Sequence, residues 1–118
     1  MTRGATRVRS AAFAAGLVAP LAVLGSTARA DEPSFAIEFN DGTMTPLRIE
    51  VPANTRFKIN LTNKGKTPAE FESNELRLEK VLAAGSASTL VIRTLDPGEY
   101  KFFDDFHPDA PQAVLVAK

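Results

Sequence analysis

The stretch YKFFDDFHPDAPQ, residues 100–112, carries the only histidine and the only tyrosine of the chain. His107 is therefore the one imidazole available to bind a metal or to transfer a proton. The chain has no cysteine, which excludes zinc–thiolate, iron–sulfur and copper–thiolate sites and any cysteine nucleophile. A single histidine also excludes a multi-histidine zinc site within one chain.

Carboxylates are the other side chains of this sequence that could bind a metal. Oxygen donors favour hard ions, Fe(II), Fe(III) or Mn(II), and also suit Cu(II), whereas thiolates favour Cu(I). The sequence therefore indicates an oxygen-rich site to which His107 would add one nitrogen. The candidate oxygen donors are Glu70, Glu72, Glu75, Glu79, Asp104 and Asp105.

The positions of these carboxylates on a strand limit which of them can act together. If Phe71 points into a core, Glu70 and Glu72 share the opposite face, with their Cβ atoms about 7 Å apart. The alternative is an ordinary solvated acidic face. Asp104 and Asp105 are adjacent, so only one of them can face His107 on an extended strand, and both could instead be turn formers at a strand end.

The first thirty residues have the features of a secretory signal peptide. A basic start, MTRGATRVRS, precedes an apolar stretch, and Ala28 and Ala30 stand at the −3 and −1 positions of a cleavage site before Asp31. An uncleaved membrane anchor is the alternative, but the apolar run is short for a bilayer span and contains Pro20. The prediction is a signal peptide, residues 1–30, followed by one exported, periplasmic domain, residues 31–118.

The mature domain would be acidic. Four of the 14 basic residues and none of the 14 acidic residues precede Asp31, so residues 31–118 carry a net charge of −4. A nucleic-acid partner is disfavoured, because phosphate contacts need clustered Lys and Arg. Without cysteines no disulfide stabilises the domain, and its hydrophobic core must suffice.

Alternating apolar residues and turn signals predict short strands and no long helix. The alternation of Phe57, Ile59 and Leu61 is the clearest example. Residues 69–85 fit a helix by propensity, but the break at Ser73-Asn74 favours two strands. The sequence predicts an antiparallel β-sandwich with strands at 35–39, 46–51, 56–63, 69–72, 76–82, 88–95, 99–103 and 112–118.

Three segments of the chain resemble the cupredoxins. They are TPLRIEVPANTRFKINLTNKG (45–65), LDPGEYKFF (95–103) and HPDAPQAVLVAK (107–118), which resemble family strands and the histidine loop in that order. The closer resemblance is to the EfeO-type cupredoxin-like family, exported domains associated with bacterial iron-permease systems. It rests on EFE at 70–72, EK at 79–80 and the LDPGEY motif.

The resemblance implies an all-β Greek-key sandwich and a set of metal-binding positions. Counted from Tyr100, the family's cysteine, histidine and methionine positions hold Asp104, His107 and Gln112 here. Its remaining histidine position holds Ala69, so two copper-ligand positions depart from the family pattern. The implied ligands are Asp104 and His107, the family-matched Glu70, Glu72 and Glu79, and a thioether from Met44.

The function predicted from these residues is that of an exported, periplasmic protein that binds an iron or copper ion. The resemblance implies a role as an accessory of a membrane iron-permease system. Ferroxidase activity would need a redox-competent metal with an open position, which a sequence does not show, so no enzymatic activity is predicted. The alternative is a metal-free β-sandwich module that presents acidic loops to a protein partner.

Overall fold

The computed structural model describes residues 32–118, which form an all-β domain. The predicted signal peptide lies outside the described residues. No segment of residues 32–118 is a helix long and apolar enough to cross a membrane. The strands are β1 (Ser34–Asn40), β2 (Thr43–Thr45), β3 (Arg48–Val51), β4 (Phe57–Asn63), β5 (Ala69–Ser73), β6 (Leu78–Leu82), β7 (Ala87–Ile92), β8 (Gly98–Asp104) and β9 (Ala113–Ala117).

The strands form two sheets, which confirms the predicted sandwich. One sheet has the order β2-β1-β4-β7 and the other the order β3-β9-β8-β5-β6. The sheets are mixed, however, because β1 pairs with β4 and β3 pairs with β9 in parallel. Parallel neighbours need a long connection. In both pairs the strands are far apart in the sequence, which an alternating local pattern does not reveal.

The core lies between the sheets and is built from the residues that alternate inward along each strand. In β4 the inward side chains of Phe57, Ile59 and Leu61 are fully buried. In the facing sheet Phe71 and Phe102 stack with ring centroids 5.1 Å apart. The alternation seen in the sequence therefore reports the inner faces correctly.

Residues 69–85 contain two strands, as predicted, and not a helix, and the two strands pair as an antiparallel hairpin. β5 pairs with β6 from Ala69 opposite Leu82 to Ser73 opposite Leu78. The connecting turn holds Arg77 in a left-handed conformation, with φ of 58°. Because the hairpin needs this turn, β6 begins at Leu78 and is shorter than predicted.

The predicted strand over residues 46–51 differs from the structure at its start. Thr43–Thr45 is a separate strand, β2, which pairs with β1, and β3 begins only at Arg48. Leu47 would point inward with Ile49 and Val51 in a continuous strand over 46–51, but it is 43% exposed. Pro46 explains the break, because a proline cannot donate a ladder hydrogen bond and strands are interrupted at such positions.

A hydrogen bond from Tyr100 connects β8 to the turn that precedes it. The Tyr100 hydroxyl donates a hydrogen bond to the carbonyl oxygen of Asp96 at 2.8 Å. We expect Tyr100→Phe to lower the free energy of unfolding by about 1 kcal/mol, the usual net contribution of one such bond. Urea denaturation of both proteins measures this difference, and an unchanged midpoint would show that the bond contributes nothing.

Candidate functional site

Three glutamates converge on the outer face of the second sheet. Glu70 and Glu72 lie on β5, and Glu79 lies opposite Glu72 on β6. Each offers a carboxylate oxygen, and these oxygens lie within 4.8 Å of one another. Phe71 points into the core between Glu70 and Glu72, as the alternation predicts. We refer to Glu70, Glu72 and Glu79 as the carboxylate cluster.

Glu70 is the buried member of this cluster. It is only 7% exposed, whereas Glu72 is half-buried and Glu79 is exposed. Within residues 32–118 no ion pair involves any of the three carboxylates, and no N–H or hydroxyl group donates to that of Glu70. The pKa of Glu70 is raised to about 7, mainly by burial. The hydrogen bond and charge of Glu79 and the charges of Glu72 and Asp105 raise it further. A buried carboxylate without a counter-charge is costly, so this group binds a proton or a cation.

Asp105 brings a fourth carboxylate to the cluster. Burial and the charge of Asp105 are the two largest causes that raise the pKa of Glu72. The backbone N–H of Asp105 donates to the carbonyl oxygen of Glu70 at 3.0 Å. The sequence offers Asp105 as a candidate oxygen donor but does not assign it to a site. Its adjacency to Asp104 could have placed it. Neighbouring residues at a strand end point to opposite sides, so if Asp104 faces His107, Asp105 faces the side of the carboxylate cluster.

Asp104 and His107 meet at the loop end of the sandwich, as the spacing predicts for one of the two aspartates. The Asp104 side chain is fully buried, and its Oδ2 lies 2.7 Å from His107 Nδ1, within hydrogen-bonding distance. Its Oδ1 accepts from the backbone N–H groups of Glu70 at 2.9 Å and Phe106 at 3.0 Å. Both oxygens of Asp104 are therefore already bonded within the protein.

The other ring nitrogen of His107 is also engaged. His107 Nε2 lies 3.2 Å from Thr67 Oγ1, and Thr67 donates its hydroxyl proton to Asp41 Oδ1 at 2.8 Å. Asp41 Oδ1 also accepts the backbone N–H groups of Lys66 and Thr67. The hydrogen bond from the Thr67 side chain is the largest of the causes that lower the pKa of Asp41, so Asp41 is ionised at neutral pH.

These contacts form one chain of hydrogen bonds, Asp104–His107–Thr67–Asp41, which we call the loop-end chain. It joins the turn after β1, the loop between β4 and β5, and the loop after β8. Its order is that of a hydroxyl–imidazole–carboxylate triad, but the Thr67 proton goes to Asp41 and not to the imidazole. Thr67 is therefore not activated as a nucleophile.

The remaining positions implied as ligands lie elsewhere. Met44 is 5% exposed and belongs to the hydrophobic core, opposite Phe39 on β1. Ala69 is buried and offers only a methyl group, and Gln112 is exposed in the loop before β9. Of the residues that the resemblance implies, the structure brings together two groups, Glu70 with Glu72 and Glu79, and Asp104 with His107.

A blue-copper centre does not fit the loop end. Such a centre is built from two imidazoles and a thiolate, and the corresponding positions hold Ala69, Asp104 and His107. The carboxylate and imidazole that are present are bonded to each other and to neighbouring groups. The carboxylate cluster is the other place among residues 32–118 where oxygen donors converge.

Comparison with known sequences identifies similar proteins. A family model described as a cupredoxin-like domain matches residues 13–117. An uncharacterized protein of Rickettsia prowazekii (strain Madrid E) is 32% identical over 80 residues, which are 68% of this chain and 64% of that protein. The match therefore spans less than two thirds of the length of this relative.

Solved structures show the same fold at low sequence identity. A purple cupredoxin from Nitrosopumilus maritimus has a TM-score of 0.54 and 19% identity, over 70% of this chain and 98% of its own. A reduced auracyanin from Roseiflexus castenholzii has a TM-score of 0.61 and 10% identity, over 74% and 98%. The metal-binding domain of the Cu(I)-exporting P-type ATPase CopA of Streptococcus pneumoniae D39, with Cu(I), has a TM-score of 0.63 and 10% identity. The match covers 72% of this chain and 84% of that domain.

Proposed function

Because the chain belongs to the cupredoxin-like domain family, we propose that it is a metal-binding protein whose ion is held by the carboxylate cluster and not at the loop end. A small β-sandwich suits metal binding because its rigid sheet holds ligand side chains at set distances. The family does not by itself specify the ligands, and in this chain the two copper-type positions at Ala69 and Asp104 have been replaced.

The observation that carries the proposal is the environment of Glu70. This carboxylate is buried, is aimed at two other carboxylates, and has no N–H or hydroxyl donor among the described residues. A negative charge in such a place is unfavourable unless a cation neutralises it. Glu72 and Glu79 supply further oxygens around the same point, and Asp105 adds negative charge beside it.

The donor set favours a hard ion. All ligand atoms of the cluster are carboxylate oxygens, which suit Fe(II), Fe(III) and Mn(II) and also accept Cu(II), whereas Cu(I) prefers sulfur. The similar structures include a purple cupredoxin and a metal-binding domain with Cu(I). This chain has no cysteine, and Met44 lies in the core away from solvent. We propose iron as the ion, with Cu(II) as the competitor that the same ligands would hold.

The physiological role that fits this site is that of an exported accessory of iron uptake. The signal-peptide features of residues 1–30 support a periplasmic location, and the EFE and LDPGEY motifs support a relation to the EfeO-type proteins of iron-permease systems. Glu79 and Asp105 are exposed, so an ion at the cluster is reachable from solvent. In this role the ion is cargo, which the domain would pass to the membrane permease.

Anaerobic calorimetric titration with Fe(II) and Mn(II) tests the proposal. We expect one ion per chain in the wild-type domain, and no binding after Glu70, Glu72 and Glu79 are all changed to Gln. The matched control carries Glu50→Gln, Glu99→Gln and Asp109→Asn. These substitutions remove the same three charges from exposed positions outside the cluster.

The two variants separate a site from general acidity. The proposal is supported if the control binds the ion as tightly as the wild-type domain and the cluster variant does not bind it. If the two variants bind alike, the ion is attracted only by net charge and the cluster is not a site. If the wild-type domain binds neither ion, the alternative stands, a metal-free module that presents its acidic loops to a protein partner.

A further inference from the structure

We propose that Asp104 and His107 are positioning residues for the carboxylate cluster and not ligands of its ion. The inference rests on the proposed function, since it concerns how that site is held in shape. It assigns a role to the loop-end chain, which occupies the region where related folds would hold copper.

The backbone of Glu70 is held on both sides by these two adjacent aspartates. The Glu70 N–H donates to Asp104 Oδ1 at 2.9 Å, and the Glu70 carbonyl oxygen accepts from the Asp105 N–H at 3.0 Å. The regular pairing of β5 with β8 covers only Phe71 opposite Asp104 and Glu72 opposite Phe103. At Glu70 the Asp104 side chain therefore replaces a strand partner and fixes the peptide that carries the buried carboxylate.

Asp104 is itself fixed by the rest of the loop-end chain. Its Oδ2 is bonded to His107, whose ring is held at its other nitrogen by Thr67. Thr67 is held by two hydrogen bonds to Asp41 Oδ1, from its N–H and its hydroxyl, and the N–H of Lys66 donates to the same oxygen. The His107 ring also lies beside Gly42, where an added Cβ would come within 3.5 Å of it.

This arrangement preorganises the metal site. Four carboxylates that repel one another would otherwise spread apart, and the protein must hold the backbone that carries them. Residues that orient ligands through hydrogen bonds typically change metal affinity 10–100-fold when they are removed. Asp104 is also a poor ligand in this geometry, because an ion would have to displace three hydrogen bonds within a fully buried side chain.

Three variants test the roles of Asp104 and His107, with Mn(II) as the probe. Asp104→Ala should lower the affinity on the order of 10–100-fold with one ion still bound per chain. Asp104→Asn should restore most of it, because the amide oxygen still accepts from Glu70 and the amide N–H still bonds to the ring. His107→Ala should weaken binding by less than Asp104→Ala, since Oδ1 of Asp104 keeps its two backbone partners.

Electron paramagnetic resonance of the Cu(II)-loaded domain shows directly whether an imidazole binds the ion. We expect no nitrogen coupling in the wild type and the same spectrum in His107→Ala. Nitrogen coupling that disappears in His107→Ala would make His107 a ligand and overturn the inference. Equal Mn(II) affinity of wild type, Asp104→Ala and His107→Ala would also overturn it, while the cluster itself would stand.

Folding of the variants is checked before binding is compared. Heteronuclear NMR spectra establish that each variant keeps the wild-type fold. If Asp104→Ala does not fold, His107→Ala and Asp104→Asn decide the question. Both keep an oxygen at residue 104 that accepts the hydrogen bond from the Glu70 N–H. Weaker binding by His107→Ala than by Asp104→Asn, with an unchanged Cu(II) spectrum, supports the inference, and equal binding contradicts it.

Discussion

Glu70→Gln is expected to weaken the binding of Fe(II) and Mn(II) by about 100-fold or more. Removal of residues that only orient a ligand already costs 10–100-fold, and this substitution removes the buried charge itself. The amide cannot neutralise the ion, and it places N–H groups beside Glu79, where they would donate to a carboxylate that the ion needs. Anaerobic calorimetry on the wild type and the variant measures the change.

Glu99→Gln is the matched control for this prediction. Glu99 lies on β8 opposite Val116, in the same sheet, and is exposed, so the variant loses the same charge outside the cluster. Its affinity should stay close to that of the wild type. If Glu70→Gln and Glu99→Gln bind the ion equally well, Glu70 is not a ligand and the central observation of the proposal has another explanation.

The metal-free domain is expected to lose stability as the pH rises from about 4.5 to about 7. The pKa of Glu70 is raised from its ordinary value of 4.5 to about 7 in the folded protein. Between these values the folded state binds more protons than the unfolded state, so the free energy of unfolding falls as the pH increases. The raised pKa of Glu72 acts in the same direction. The lowered pKa of Asp41 acts only below 3.8, outside this window.

The stabilisation that a bound metal ion adds should show the opposite trend. An ion that binds only the folded state stabilises it by RT ln(1 + [L]/Kd), and protons compete with the ion for the same carboxylates. The stabilisation by Mn(II) should therefore increase over the pH range in which the metal-free domain becomes less stable. Thermal unfolding at about pH 5 and about pH 8, with Mn(II) or with a chelator, gives both slopes.

Glu70→Gln connects these two measurements. Without metal, the variant should have a higher melting temperature than the wild type near pH 8 and a weaker dependence on pH, because the group with the largest pKa shift is gone. A wild-type domain whose metal-free stability rises between pH 5 and pH 8 would contradict the pKa assigned to Glu70. An Mn(II) shift of the same size at both values would contradict binding by these carboxylates.

The sequence by itself determined the inner faces of the strands. Phe57, Ile59 and Leu61 alternate with polar residues, and a period of two can place them only on one face of a strand. The same rule placed Glu70 and Glu72 together opposite Phe71, and it separated Asp104 from Asp105. Composition alone excluded a thiolate centre. These conclusions depend on local geometry or on counting, which a sequence contains in full.

The tertiary structure decided which of these residues meet and how far each is removed from water. Glu79 joins Glu70 and Glu72 through the register of the β5–β6 hairpin, and β1 meets β4 and β3 meets β9 through parallel pairing. Met44 lies in the core, and the buried Asp104 side chain contacts His107 and the backbone N–H of Glu70. Sheet order and the pairing of strands that are distant in the sequence follow from the packing of the whole core, and no local pattern encodes them. The burial that raises the pKa of Glu70 and makes an acidic strand face a candidate metal site therefore became visible only in the folded domain.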